Sequence, residues 1–352
     1  MVKIILIVCG FLCLQVAAEV NLSDKLLREN SQENVIFSPF AAGVGLSMIL
    51  MGAGGKTAEQ LQTALNFGDV NRLEIAAHYK ALLQSLKSKR EMDPKINVAS
   101  GIFVSDRFRL NPAFNEISRN YFGAEAQSIS FHTPQNAAKT INSWVASRTD
   151  NIIRNIVSPI QIKSTTEMSI LNAVHFSGYW ASPFDPDETQ LGDFYMTKTN
   201  KVPVEMMNQI AGFNFADLAN LKATGVQMRY LNSPISMWIF MPNEIDKFGQ
   251  MESQLIASEW NKITAQFSTR QVNLTLPKFK FDFDVDMVPH LKEAIHKAII
   301  NVNEEGTVAA AANDNSGGVL WRDLQQFDVN RPFYFVIRSD QTILFEGHVV
   351  KF

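Results

Sequence analysis

Residues Asn303–Phe327 read NEEGTVAAAANDNSGGVLWRDLQQF and follow the apolar, strand-like run Ile295–Val302. Two acids and a glycine come first, then a run of small residues, then a polar segment that ends in the bulky cluster Val319–Arg322. Connections longer than about 12–15 residues are usually functional or disordered. The stretch therefore predicts an exposed tether, and its Leu-Trp-Arg end requires an explanation of its own.

The first 18 residues predict a secretory signal peptide. Lys3 gives a positive start, the apolar run Ile4–Cys13 is too short to span a membrane, and Val16–Ala18 supplies small residues at the cleavage spacing. We expect cleavage after Ala18 and a secreted, extracellular protein that does not insert in a membrane.

The mature chain, residues 19–352, would contain no cysteine, because Cys9 and Cys13 both lie in the removed segment. It would have neither a disulfide nor thiol chemistry, so burial has to supply its stability. Two sequons, Asn21-Leu22-Ser23 and Asn273-Leu274-Thr275, predict glycosylation at Asn21 and Asn273, the second of them inside a strand-like run.

The charge pattern argues against a polyanionic partner. The formal charge of −3 becomes −4 without Lys3, so no bulk positive field favours nucleic acid. One predicted helix carries Lys80, Lys87, Lys89 and Arg90 towards its end. Such a run is usually a solvated face that complements the helix dipole, and we expect no glycosaminoglycan binding there.

Candidate catalytic groups are scarce. The six histidines show no metal-ligand spacing with a nearby acid, and there is no Gly-x-Ser-x-Gly motif. His296 lies in an apolar strand, where a packed, hydrogen-bonded role is the simpler interpretation. The sequence predicts no metal, no cofactor and no enzyme activity.

Strands and helices are mixed along the chain without a regular strand-helix-strand alternation. There is no repeat and no break in composition. This favours one α+β domain over residues 19–352, with mostly antiparallel sheets. The closing runs Phe333–Arg338 and Thr342–Val350 predict a hairpin with Asp340 in its turn.

Several motifs, in one order along the chain, resemble the serpin family. The most specific is Leu171–Trp180, LNAVHFSGYW, followed by Pro183-Phe184. The others are Asn34–Pro39, Met51–Thr57, Ile141–Trp144, Val204–Met207, Met241-Pro242, Leu276–Phe279, His296–Ala298, Asn303–Thr307 and Arg331–Phe333. The resemblance implies a fold of three mostly antiparallel sheets and about nine helices, with an exposed reactive-centre loop at about residues 304–327.

The resemblance also implies a mechanism and a partner. Inhibitory serpins are suicide substrates: a serine protease attacks the loop, and the cleaved loop inserts as a new strand in the central sheet. The implied partner is a serine protease and the implied state a monomer. A non-inhibitory serpin that acts as a carrier, storage or interaction protein is the alternative.

The residue types of the hinge fit such an insertion. Thr307, Ala309 and Ala311 would alternate inward, and Val308, Ala310 and Ala312 outward, at little cost on burial. Gly306 supplies backbone freedom after Glu304 and Glu305, and a charge in this run would stall insertion. The alternative is that the alanine run is merely a helix or a spacer.

Other residues match the family's switching regions. Ser38, Ser47, Asn172 and His296 match the shutter, where polar side chains control the separation of the central strands. Trp180 matches the tryptophan at the top of that sheet, in the breach, where insertion begins. These roles are structural, and ordinary core polar residues are the alternative.

The cleaved bond follows from a count along the loop. The position fourteen residues after Gly306 is Leu320, which makes Leu320–Trp321 the expected reactive bond. Counting back from Arg331–Phe333 gives Trp321 or a neighbouring residue as the cleavage position instead. Arg322, two residues after Leu320, is the third possibility. Leu or Trp would suit a chymotrypsin- or elastase-like protease, and Arg a trypsin-like one.

One departure from the family pattern lies before His296. There Val285–Glu293 runs straight into Ala294-Ile295-His296, and about twenty-five residues of the usual pattern are missing. A skipped exon in the gene model would explain the gap. A genuine loss would weaken the metastable state and favour the non-inhibitory alternative.

Overall fold

A computed structural model describes residues 23–65, 67–124, 126–286, 294–307 and 323–352. These residues form eight α-helices and fifteen strands. The helices are α1 at 23–29, α2 at Pro39–Gly52, α3 at Gly55–Ala64, α4 at Arg72–Ser85, α5 at Pro112–Phe122, α6 at Pro134–Arg148, α7 at Phe248–Ile256 and α8 at Trp260–Thr264.

The strands lie in two hydrogen-bonded sheets. They are β1 at Val35–Phe37, β2 at Lys95–Ser105, β3 at Ala126–Ile129, β4 at Met168–Tyr179, β5 at Gln190–Tyr195, β6 at Lys201–Leu218, β7 at Ala223–Arg229, β8 at Ser236–Pro242, β9 at Ser268–Pro277, β10 at Phe279–Asp286, β11 at Ala294–Val302, β12 at Gly306–Thr307, β13 at Gln325–Asp328, β14 at Phe333–Arg338 and β15 at Ile343–Val349. The prediction of an α+β fold is confirmed.

The central sheet has the order β10-β11-β4-β2-β3, and the short β12 also pairs with β4. β4 pairs antiparallel with β2 over ten residues and parallel with β11 over six. β4 is buried along most of its length because it is flanked on both sides and covered on both faces.

The second sheet runs β1-β15-β14-β8-β7-β6-β9-β13, with β5 also paired to β6. Two of the three expected sheets are joined here, because β6 is 18 residues long and serves both. Its first part pairs with β5 and β9, and its last part, Asn214–Leu218, pairs with β7. The hydrogen-bond ladder is therefore continuous where the family pattern implies separate sheets.

Helix α2 lies between the two sheets. Ser38 caps it by accepting a hydrogen bond from the Ala41 N–H at 3.1 Å, and Pro39 occupies the first turn. Residues Pro39–Leu50 are all buried, as the apolar run along the whole helix predicts. α2 packs against β2, β4 and β15, so it couples the central sheet to the second one.

Helix α6 covers the opposite face of the central sheet. Ile141 and Val145 of α6 pack against Leu171 and Ala173 of β4 in one buried cluster. Trp144 lies over β2, where its ring makes an edge contact with Phe103. Gly101 of β2 leaves the space that this indole needs, since a Cβ there would lie 2.6 Å from Trp144 Cη2.

Two local expectations are wrong. The run Gln250–Ile263 predicts one helix, but α7 ends at Ile256 and a separate short α8 begins at Trp260. β10, whose sequence FKFDFDVD alternates, forms an edge strand in a segment for which the sequence predicted no strand. Its sequence has acids at the alternate positions 282, 284 and 286, and charged residues are typical of edge strands.

Gly101→Ala is expected to lower the free energy of unfolding by about 1–3 kcal/mol, because the added methyl group forces Trp144 and α6 away from β2. Gly249→Ala in α7 is the matched control, since no heavy atom lies within 4 Å of its added Cβ. Urea unfolding followed by circular dichroism measures both. Equal effects of the two variants would contradict the packing of α6 described above.

Candidate functional site

The chain enters the central sheet again directly after β11. Gly306 and Thr307 pair antiparallel with Tyr179 and Gly178 of β4. The parallel pairing between β11 and β4 ends three residues earlier along β4, at the pair Ile299 and His175. β4 and β11 are therefore closed against each other at one end, and β12 takes the place next to β4 at the other.

A tight turn at Asn303–Gly306 reverses the chain between β11 and β12. The Asn303 N–H donates to the Gly306 carbonyl oxygen at 3.0 Å, and the Asn303 side-chain oxygen accepts from the Gly306 N–H at 3.2 Å. Gly306 has φ +147°, and a Cβ there would lie 2.1 Å from the Gly178 carbonyl oxygen. Glycine is required here both for the backbone angle and for the close approach to β4.

Trp180 holds this turn from the end of β4. Its backbone N–H donates to the Glu305 carbonyl oxygen at 2.9 Å, and its indole N–H donates to the Asn303 carbonyl oxygen at 3.0 Å. The indole is 2% exposed and stacks on Tyr230, with ring centroids 4.6 Å apart. A buried indole needs such a hydrogen-bond partner, and here the partner is the hinge itself.

Glu304 anchors the same turn through its side chain. Its carboxylate accepts a hydrogen bond from the Thr189 hydroxyl at 2.7 Å and pairs with the Lys278 ammonium at 3.1 Å. Its backbone carbonyl accepts from the Phe184 N–H at 2.8 Å. Lys278 also lies 3.6 Å from Glu205, so one cation serves two carboxylates.

The surroundings of Glu304 favour its charged form. Burial alone would raise the pKa of Glu304, but hydrogen bonds from Thr189 and from its own backbone N–H, together with the Lys278 charge, lower it below 4.5. A carboxylate with a lowered folded pKa stabilises the fold above its ordinary pKa. This stabilisation is lost as the pH falls through the lowered value.

Two of the polar residues expected in the shutter, Ser38 and Asn172, lie at the start of α2 and on β4. The Ser38 hydroxyl donates to the Leu344 carbonyl oxygen of β15 at 2.6 Å. The Asn172 amide donates to the Ala41 carbonyl oxygen, and its side-chain oxygen accepts from the Ser100 hydroxyl at 3.1 Å. Ser38 and Asn172 thus link α2 to both sheets.

Ser47 and His296 are less connected in the described part of the chain. Ser47 is fully buried, and no described residue hydrogen-bonds to its hydroxyl. His296 pairs through its backbone with Asn172 in the parallel ladder, and its side chain lies outside the described structure. The structure places Ser47 on α2, which begins just after Ser38 and packs against β4, and it pairs Asn172 with His296 in the β4–β11 ladder.

Several predicted residues lie outside the described ranges. These are Asn21, Val308, Ala309, Ala310, Ala311, Ala312, Leu320, Trp321 and Arg322, and the side chain of Thr307 belongs with them. Asn273 is described and half-buried on β9. Its amide donates to Gln326 at 2.9 Å and its oxygen accepts from Asn208 at 2.9 Å, so the nitrogen that would carry a glycan already bridges two strands.

Sequence reasoning missed four residues around the hinge: Phe184, Thr189 and Lys278 contact Glu304, and Tyr230 stacks on Trp180. Lys278 lies in the motif Leu276–Phe279, which was noted for its resemblance but received no role. Each of the four is far from residue 304 in sequence, and the sheet brings them together. Among the described residues, no group of three or more His, Cys, Asp or Glu could hold a metal ion, and no helix is long and apolar enough to cross a membrane.

Lys278→Ala is expected to lower the free energy of unfolding by about 1–3 kcal/mol at pH 7, because it leaves the nearly buried Glu304 carboxylate without its cation. Lys262→Ala is the control: it removes a shorter ion pair, to Glu259 at 2.6 Å, whose side chains are 74% and 72% exposed. Such an exposed pair should leave the unfolding midpoint unchanged. Urea unfolding of both variants tests this, and the loss in Lys278→Ala should shrink as the pH falls through the lowered pKa of Glu304, where the carboxylate takes up a proton.

Comparison with known proteins agrees with this geometry. A family model described as Serpin (serine protease inhibitor) matches residues 17–294 and 289–352. The two matched pieces overlap at residues 289–294, where the sequence departs from the family pattern. Serine protease inhibitor 42Dd of Drosophila melanogaster is 33% identical over 357 residues, which cover 93% of each chain. Antitrypsin of Bombyx mori is 30% identical and covers 92% of this chain and 89% of its own.

Solved structures show the same fold. Serpin48 of the insect Tenebrio molitor matches with a TM-score of 0.86 and 26% identity, covering 97% of this chain and 98% of its own. Human thyroxine-binding globulin in complex with thyroxine also reaches a TM-score of 0.86 at 26% identity, covering 98% and 99%. The chain therefore belongs to the serpin family, a family of serine protease inhibitors and not of enzymes.

Proposed function

We propose that the protein is a secreted inhibitor of serine proteases that acts as a suicide substrate. The observation that carries the proposal is the pairing of Gly306 and Thr307 with β4, antiparallel and beyond the end of the β4–β11 ladder. A strand inserted between β4 and β11 would continue from these two residues. The names of the relatives from Drosophila and Bombyx support the same activity.

In the proposed reaction the protease serine attacks the carbonyl carbon of Leu320. The peptide bond to Trp321 breaks, the new amine leaves with a proton, and Leu320 stays bound to the serine as an ester. Residues after Thr307 then enter the sheet and carry the attached protease with them. Trp321 and Arg322 remain the alternative cleavage positions, and Arg322 would select a trypsin-like protease.

Secretion is proposed from residues 1–18, whose sequence has the pattern of a signal peptide. We also propose that Asn21 and Asn273 carry glycans, that the protein is a monomer and that it does not bind glycosaminoglycans. At Asn273 a glycan would have to displace the amide contact with Gln326 on the neighbouring strand.

A second candidate function is that of a non-inhibitory serpin that carries a ligand. It is favoured by the gap before His296, where the family match breaks, and by the similarity to thyroxine-binding globulin. A chain of this kind would still be cleaved in its loop, but it would not trap the protease.

The full-length chain, expressed in insect cells and recovered from the medium, should begin at Glu19. Incubated with elastase, chymotrypsin or trypsin, it should form a covalent complex that survives SDS electrophoresis, and mass analysis should find a released peptide beginning at Trp321. A peptide beginning at another residue would change the assignment of the reactive bond but would leave the proposed inhibition intact. Cleavage by all three proteases with no complex and no gain in heat stability would contradict inhibition and favour the carrier.

The expected alternation of the hinge gives a sharper test. Ala309→Arg should turn the inhibitor into a substrate, because position 309 faces inward on insertion and a buried charge stalls the strand. Ala310→Arg is the matched control, since its side chain would face outward, and it should still form complexes. The measurement is the fraction of protein cleaved without complex formation. If the two variants behave alike, the proposed register of insertion is wrong.

A further inference from the structure

His175 lies at the position where β4 changes partner. It forms the last pair of the parallel ladder with β11, opposite Ile299. Three residues further along β4, Gly178 pairs with Thr307 of the hinge. Any further entry of the loop has to break the His175–Ile299 pair first, since β12 is antiparallel to β4 and advances from this end.

The surroundings of the His175 side chain favour an uncharged ring. The residue is 4% exposed, and no described residue hydrogen-bonds to its Nδ1. Burial lowers the pKa of His175 to about 4, and the charge of Asp150 only partly opposes this. An unpaired ring nitrogen in a dry site is costly once it gains a proton.

Charged groups approach this face of the sheet from several elements. Asp150 follows α6 and accepts a hydrogen bond from Asn97 of β2 at 2.8 Å, and Asn97 is the β2 partner of His175. Lys297 of β11 lies two residues before Ile299 and pairs with Asp282 of β10 at 2.6 Å.

Lys95 of β2 is exposed opposite Ser177, and α6 contributes the apolar Ile141 and Val145 to the adjoining cluster. Among the described carboxylates, none hydrogen-bonds to the His175 ring.

We propose that His175 is a positioning residue that sets the rate of loop insertion: its neutral ring keeps β4 and β11 closed, and its protonation opens this end of the ladder. The link to inhibition rests on the proposed function. The opening itself belongs to the sheet and can be measured without a protease.

The direction of the pH effect follows from the two states. In the closed sheet the ring stays neutral down to a pH of about 4, whereas an opened sheet exposes it to water, where it titrates near 6.5. Above pH 7 neither state binds the proton, and the opening equilibrium does not depend on this group. Between these values only the open state gains a proton, so at pH 5.5 opening should increase by about tenfold.

Hydrogen exchange of those backbone amides of Ile170–His175 that donate to β11 measures the opening, since the alternate amides donate to β2. After correction for intrinsic exchange rates, these amides should exchange about tenfold faster at pH 5.5 than at pH 7.5 in the native protein. His175→Phe should abolish this acceleration, because the ring no longer titrates. His78→Phe is the matched control: burial also lowers the pKa of His78, but it lies on α4 and not on the central sheet.

The outcomes are distinct. Acid acceleration that persists in His175→Phe, or that is absent from the native protein, overturns the inference. If His175→Phe fails to fold by circular dichroism, His175→Gln, which keeps a polar side chain without a titrating ring, replaces it with the same expectation. If the exchange response is present but no protease complex forms at either pH, the proposed function fails and the role of His175 in the sheet stands. If complexes form but the exchange response is absent, the proposed function stands and the proposed role of His175 fails.

Discussion

The parallel pairing between β4 and β11 is the interaction on which the rest of the structure depends. It joins Ile170–His175 to Ala294–Ile299 and then gives way to the hinge. Because β11 runs parallel to β4 and β12 runs antiparallel to it, a strand that extends β12 would be antiparallel to both neighbours. One parallel ladder would then be replaced by two antiparallel ones, and each added backbone hydrogen bond contributes about 1 kcal/mol net. Under the proposed function, the closed sheet therefore has a more stable alternative for the same chain.

Two sets of contacts oppose that rearrangement at its ends. At the hinge, Trp180 and Glu304 hold the turn through hydrogen bonds to main chain and an ion pair to Lys278. Below it, Asn172 ties β4 to the start of α2. α2 in turn is fixed to the second sheet through Ser38. In the proposed mechanism these contacts have to be exchanged for others before a new strand can enter next to β4.

The sequence predicts the parts of this arrangement that local pattern controls. β4 follows from the apolar run Glu167–Phe176, and α2 follows from its Ser-Pro start and its nearly uniform apolar length. The role of Gly306 as a hinge is predicted from its place between a strand and a run of small residues. These features agree with the structure because each depends on residues close in the chain.

Other features depend on distant residues and could not be predicted in the same way. Nothing near Lys278 indicates that its cation belongs to Glu304, since β9 and the turn after β11 meet only in the folded sheet. The alternating β10 was missed because its acids resemble a solvated loop until an edge position is known. The position of His175 at the end of a ladder likewise follows from strand register, which no local pattern specifies.

The register of β11 also bears on the segment that is missing before His296. β11 keeps eight paired residues with β10 and six with β4, from Ala294 onward. The described residues of β10 and β11 are therefore paired on both sides of residues 287–293. The hinge turn, Trp180, Glu304 and Lys278 are all in place in the described residues. The pairing through which a loop would enter, between Gly306-Thr307 and β4, follows the last residue of β11, whereas residues 287–293 precede its first.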